Sequence, residues 1–220
     1  DRYLKDQIKF RKTHKDINKA NEVLSLLIEA EGLELSETEL LHQCIFMLNA
    51  GHETSTNMLS HGLNELIKHK DQYKLLQKEP ERIDTAVDEI LRFQPPIQIN
   101  NRRCLEKTKL GDVVVPEGTS VHMIIAGANR DPLQFFKPET FDISRSPNRH
   151  LSFGLGIHIC AGINLARVEA KVAFQSLMSS FREINLLKKP KVANRIRFRE
   201  IKEMQIEISS FDAFSKYILY

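Results

Sequence analysis

The chain has 220 residues, of which 41% are hydrophobic and 28% charged, ordinary values for a soluble globular protein with one real core. Its 32 Lys and Arg against 29 Asp and Glu leave a net charge of +3, a balance that argues against a nucleic-acid or anionic-membrane partner. No apolar run approaches the ~20 residues needed to span a bilayer, no secretory signal opens the chain, and it starts at Asp1 within helical-looking sequence, which reads as a fragment.

In chain order, residues 1–31 are charged, with apolar positions at helical spacing in Val23, Leu26, Leu27 and Ala30. Gly32 is placed to end that helix. Ser36-Glu37-Thr38-Glu39 has the capping-box pattern, and the helix it opens extends over 37–68 without an internal proline. At 1.5 Å per residue its length is on the order of 45 Å. Cys44 to Ala50 is apolar nearly all round, which predicts burial. A shorter helix spans 80–93 and stops before Pro95-Pro96. Residues 97–125 read as strands. Val113-Val114-Val115, the turn Pro116-Glu117-Gly118 and Thr119 to Ile125 form a predicted hairpin. Residues 129–152 carry many turn formers and read as a long irregular segment, of the kind that tends to be functional. A last long helix is expected over 161–181 and short strands over 185–209, with 211–220 as an appended tail. No repeat or Gly/Ser linker interrupts the chain, so it reads as one unit.

The cysteines are Cys44, Cys104 and Cys160. An odd number without close spacing is a poor disulfide framework and fits a reducing cytoplasm. Without a C-x-x-C pair a structural zinc site is disfavoured. The informative one is Cys160, which follows Phe153-Gly154-Leu155-Gly156-Ile157-His158-Ile159 and precedes Ala161-Gly162. A helix N-terminus offers unpaired amides and a positive dipole end, which favour an anionic sulfur. Glycines let the backbone approach a flat, bulky ligand, and amides around the sulfur would tune its donation to a metal. A buried cysteine after a glycine turn is the plainer reading for a cysteine chosen at random. The glycines, the histidine two residues earlier and the helix behind weigh against it here.

This stretch resembles the haem-binding signature of the cytochrome P450 family, F-x-x-G-x-x-x-C-x-G, through Phe153, Gly156, Cys160 and Gly162. The bacterial form G-x-H-x-C-x-G-x-x-L-A-R is met by Gly156, His158, Cys160, Gly162, Leu165, Ala166 and Arg167, with Asn164 where proline is frequent. The resemblance implies haem b with Cys160 as axial thiolate, in a loop that includes Gly154. Thiolate ligation pushes electron density through iron and favours O–O cleavage.

Ala50-Gly51-His52-Glu53-Thr54-Ser55 resembles the family's oxygen-activation motif, about 106 residues before Cys160. Without that context, a mid-helix Thr54 bonding back to Ala50 beside a paired Glu53 would suffice. By resemblance Thr54 holds dioxygen and water, Glu53 relays protons, and Gly51 lets the helix open locally beside Ala50. Members that use peroxide usually lack the acid–alcohol pair, so Glu53-Thr54 argues for dioxygen.

Glu89-Ile90-Leu91-Arg92 places acid and base on one helix face. Alone it would be a surface pair of little worth; by resemblance it is the buried E-x-x-R pair, with Arg145 as third member. The run from Ala128 to Pro132 also resembles bacterial members. Haem propionates would take His158 and Arg102, with His150 behind them. Ile97, Ile99, Leu48 and Ala50 fall where the family lines its substrate pocket.

The resemblance covers 3–208 and implies a mainly α fold with small β-sheets, the carboxyl-terminal, haem-binding half of a fold roughly twice as long. It implies a monooxygenase inserting one oxygen atom of dioxygen into a small, apolar organic substrate, with electrons from a ferredoxin- or flavodoxin-type donor in the cytoplasm. The alternative is a haem-binding remnant without activity of its own.

Overall fold

The computed structural model describes residues 2–14, 22–32, 34–211 and 216–219. The chain divides into two compact units, Asp1–Glu53 and Thr54–Tyr220. The sequence pattern of 1–31 resolves into α1 (Arg2–Thr13) and α2 (Val23–Ala30), and residues 15–21 lie outside the described residues. Gly32, at φ +80°, follows α2 and donates its amide to the Leu35 carbonyl. The first unit's core is Ile8, Leu40 and Cys44, with Leu4, Leu24, Leu27, Ile28 and Leu41 against it.

Helix α3 runs Glu37–Lys68. The Ser36 amide donates to Glu39 Oε2 at 2.8 Å and the Glu39 amide to Ser36 Oγ at 3.3 Å, so both halves of the capping box close. The Ser36 hydroxyl and amide hold the Glu39 carboxyl below its usual range. The apolar stretch of α3 is not buried as its composition predicts. Phe46, Met47 and Leu48 are 64%, 42% and 59% exposed, and only Cys44 is inside. Composition marks side chains that gain from leaving water; it does not say which surface covers them. The most buried part of α3 is 57–67, past the acid–alcohol pair.

The second unit is built on the rest of α3, α4 (Lys70–Lys78), α5 (Ile83–Phe93) and α7 (Ile163–Ser180). Helix α4 is separate from α3, starting after His69. On α7, Ala170, Phe174 and Met178 recur every four residues and form its buried face. They join Met58, Leu66, Ile90, Phe141 and Ile184 in one core. Gly62 is where α3 meets α5 and α7. A Cβ there would lie 2.5 Å from Phe174 Cζ and 2.9 Å from Ile90 Cγ2. Buried Glu65 is satisfied by Asn64, Lys68 and Gln94 at 3.0–3.2 Å.

The sheets are small and antiparallel. β1 (Ile99–Arg103) pairs with β4 (Ser120–Ile124), and β2 (Thr108–Leu110) with β3 (Val113–Val115). The predicted hairpin is therefore corrected: the strands on either side of Pro116-Glu117-Gly118 belong to different sheets. Gly118, at φ +78°, donates its amide to the Cys104 carbonyl, turning the chain towards β1 instead of back on β3. The single turn α6 (Ile125–Ala128) opens the irregular segment. After α7, β5 (Phe181–Leu186), β8 (Ile206–Ser210) and β9 (Lys216–Leu219) form one sheet in the order β5-β8-β9. β6 (Lys191–Val192) pairs with β7 (Ile201–Glu203). The tail read as appended thus supplies an edge strand.

Candidate functional site

The base of the site is a saturated ion cluster on α5. Arg92 donates through Nε and Nη2 to the two Glu89 oxygens at 2.7 and 2.8 Å. Its remaining N–H groups reach the carbonyls of Asn129, Pro138 and Thr140 at 2.9, 2.8 and 3.1 Å. The whole guanidinium fork is therefore used. Glu89 also accepts from the Asp142 amide, Arg145 Nε and Asn148 Nδ2 at 2.9–3.1 Å. Both Glu89 and Arg92 are fully buried. Arg145 is the third member that the sequence pointed to, and it also holds the Phe136, Lys137 and Thr140 carbonyls. The cluster ties the irregular segment 129–152 to α5, which is how a segment without regular structure keeps one path.

That path ends at the cysteine loop. Buried Asn129 accepts the Leu151 amide at 2.8 Å and donates to Ser152 Oγ at 3.0 Å, and Ser152 donates to the Leu91 carbonyl at 2.7 Å. The chain then turns through Gly154 and Gly156, at φ +73° and +75°. Side chains rarely adopt such dihedrals, so the glycines are required there. A short 3-10 turn, Gly156–His158, follows. The Cys160 amide closes the loop onto the Phe153 carbonyl at 2.8 Å. Cys160 is exposed and stands just ahead of α7, whose first turn starts after Gly162. Leu155, Ile157 and Ile159 are 79%, 96% and 50% exposed beside it. The other loop cysteine, Cys104, is half-buried, and burial pushes the Cys44 thiol up.

The predicted residues fall as follows. His158 and Arg102 are exposed, and among the described residues no carboxylate pairs with either; Arg102 donates only to the Asn101 carbonyl at 2.9 Å. His150 is not a free cation. Its side chain is 3% exposed and contacts Asp88. Ala50 and Gly51 are exposed on α3, and a Cβ at Gly51 would meet nothing within 4 Å. Glu53 and Thr54 are half-buried neighbours on that helix, not members of its most buried stretch. Next to them Ser55 donates to Glu169 Oε2 on α7 at 2.7 Å, joining Thr54's helix to the one behind Cys160. Sequence reasoning missed Asp88, Asn129 and Ser152 as supports of the loop. Only Asn129 carried a signal, in the Ala128–Pro132 resemblance.

The residues fit a haem. An exposed thiol, a glycine-turned loop, apolar side chains facing outwards and the exposed Arg102 and His158, without a carboxylate partner among the described residues, form the set that a flat, apolar ring with two carboxylates would take. No cluster of His, Cys, Asp and Glu among the described residues could hold a bare metal ion instead.

A helical fold with small antiparallel sheets, a buried E-x-x-R pair and a cysteine loop ahead of a long helix define a cytochrome P450. A cytochrome P450 family model matches residues 1–198, and the chain belongs to that family. It is 39% identical over 185 residues to the biotin biosynthesis cytochrome P450 of Bacillus subtilis strain 168, covering 84% of this chain and 46% of that protein. The polyketide biosynthesis cytochrome P450 PksS of the same strain is 39% identical over 192 residues, 86% of this chain and 47% of PksS. Among solved structures, P450BioI in complex with hexadec-9Z-enoic acid ligated acyl carrier protein superposes with a TM-score of 0.88 at 36% identity, over 94% of this chain and 53% of that one. The chain spans about half the length of the curated relatives it matches. No described helix is long and apolar enough to cross a membrane.

Proposed function

We propose that this chain is the haem-carrying half of a monooxygenase that inserts one atom of dioxygen into a small apolar substrate, fed by a ferredoxin- or flavodoxin-type donor in the cytoplasm. The observation that carries the reading is Cys160, exposed at the mouth of a loop whose amide and glycine turns are fixed from behind. Haem b would supply dioxygen binding and oxidation when held by that thiolate. Cys160 would ligate the iron. Arg102 and His158 would hold the propionates, the guanidinium by charge and both side chains by hydrogen bonding. Gly154, Gly156 and Gly162 would keep Cβ atoms out of the way of the ring, and Phe153 backs the loop. By resemblance Thr54 would hold water at its hydroxyl, its neighbour Glu53 would pass protons to it, and Ala50 and Gly51 would leave room on the same helix. The relative holding a hexadec-9Z-enoic acid chain supports an apolar substrate.

The test is the carbon monoxide difference spectrum of the reduced, haem-reconstituted chain. A strongly red-shifted Soret band is expected, and Cys160→Ser is expected to abolish it. A variant that keeps the band, or a parent chain that never shows it, refutes the ligand assignment.

A further inference from the structure

Asp88 stands one residue before Glu89 on α5 and serves different partners. Its Oδ1 accepts from Arg167 Nη2 at 2.8 Å and from His150 Nε2 at 3.4 Å. The other ring nitrogen of His150, Nδ1, accepts the Ser152 amide at 3.3 Å. With Nδ1 accepting, Nε2 carries the hydrogen and donates the hydrogen bond to Asp88. Both partners of Asp88 lie on one aromatic ring. The Arg167 guanidinium is 5.3 Å from the Phe153 centroid, and the His150 ring 5.8 Å from it. Phe153 is the residue whose carbonyl receives the Cys160 amide at 2.8 Å.

We infer that Asp88 is a positioning residue for Cys160: its carboxylate holds Arg167 and His150 against Phe153, and Phe153 carries the cysteine. The Glu89–Arg92 cluster cannot do this, because it grips the segment 129–148 and touches neither Arg167 nor His150. A part-exposed Asp–Arg pair contributes little by itself. Here one donor is a buried ring and the other lies over an aromatic face, so the three elements α5, 129–152 and α7 meet at a single carboxylate. The motif that ends in Leu165-Ala166-Arg167 thereby gains a physical reason for its arginine.

The positioning itself does not need haem, whereas its effect on ligation rests on the reading of Cys160 as axial ligand. Amide hydrogen exchange of the whole chain separates the two. Asp88→Ala is expected to speed exchange of the Cys160 amide about tenfold through local opening, while the Ile90 and Leu91 amides of α5 keep their rates. Asp88→Glu is expected to restore protection. An unchanged Cys160 rate overturns the inference, and so does an equal acceleration at Ile90 and Leu91, which would mean loss of the helix. If Asp88→Ala does not fold, Arg167→Gln reads the same amide with the same expected and refuting results. In the haem-reconstituted chain Asp88→Ala is expected to move part of the reduced carbon monoxide band to the unshifted position. A parent chain without the red-shifted band refutes the ligand reading and leaves the exchange result to decide on Asp88.

Discussion

The Glu89–Arg92–Arg145 cluster and the Cys160 loop both carry short sequence motifs, and they differ in one respect. In the cluster the whole Arg92 fork and both Glu89 oxygens are bonded within the protein, away from water. In the loop the Gly154, Ile159 and Cys160 amides are bonded, while the thiol and His158 reach solvent, as Arg102 does on β1. A buried charge survives only where its partners are complete. A polar group left open at the end of a rigid support is available to something else. Saturation thus marks a fold-holding motif and openness marks a ligand-holding one, although both read as short patterns in the sequence.

That contrast predicts where substitutions hurt. Arg92→Leu leaves Glu89 buried without its main partner, and is expected to cost about 3–5 kcal/mol in chemical unfolding. Cys160→Ser should leave unfolding within about 0.5 kcal/mol of the parent, as exposed substitutions do. Similar losses from the two would erase the distinction. Gly62→Ala comes next, at about 1–3 kcal/mol, because the new Cβ meets Phe174 and Ile90. A Gly62→Ala chain as stable as the parent would show that α3, α5 and α7 part easily.

The smallest effect concerns His61. It is 5% exposed and bonded to the Arg199 carbonyl. Burial holds the imidazole below its usual 6.5, helped by the charges of Arg199 and Lys68 and opposed by the carbonyl bond and Glu65. The unfolded chain therefore takes up a proton that the folded one refuses. His61 adds stability above about pH 6.5, and that contribution is lost as pH falls through the depressed folded value. Unfolding free energy measured at decreasing pH should drop in this window for the parent, and less for His61→Gln. Parallel curves would remove His61 as a source of acid sensitivity.

Much of this was legible in the sequence. Ser36 and Glu39 announce the start of α3, and the E-x-x-R motif with the irregular segment points to the buried cluster of Glu89, Arg92 and Arg145. These are local signals, carried by residues a few positions apart. What stayed hidden depends on distant partners. Phe46 to Leu48 looked like core because apolarity is a property of the side chain, whereas burial is a property of its neighbours. The hairpin at Pro116–Gly118 failed because turn chemistry fixes a reversal without choosing the strand that receives it. His150 reads along the chain as a secondary propionate candidate, since nothing in its sequence surroundings reveals Asp88.

Strand β8 lies between β5 and β9, so both of its edges are hydrogen-bonded. Ile206 and Ile208 on it are buried. Cutting the chain after Ser210 would strip one of those edges and leave a row of unpaired backbone groups beside apolar side chains, the usual template for strand-to-strand aggregation. Strand β9 thus shields an aggregation-prone edge, and a chain trimmed after Ser210 is expected to precipitate sooner than its parent on concentration.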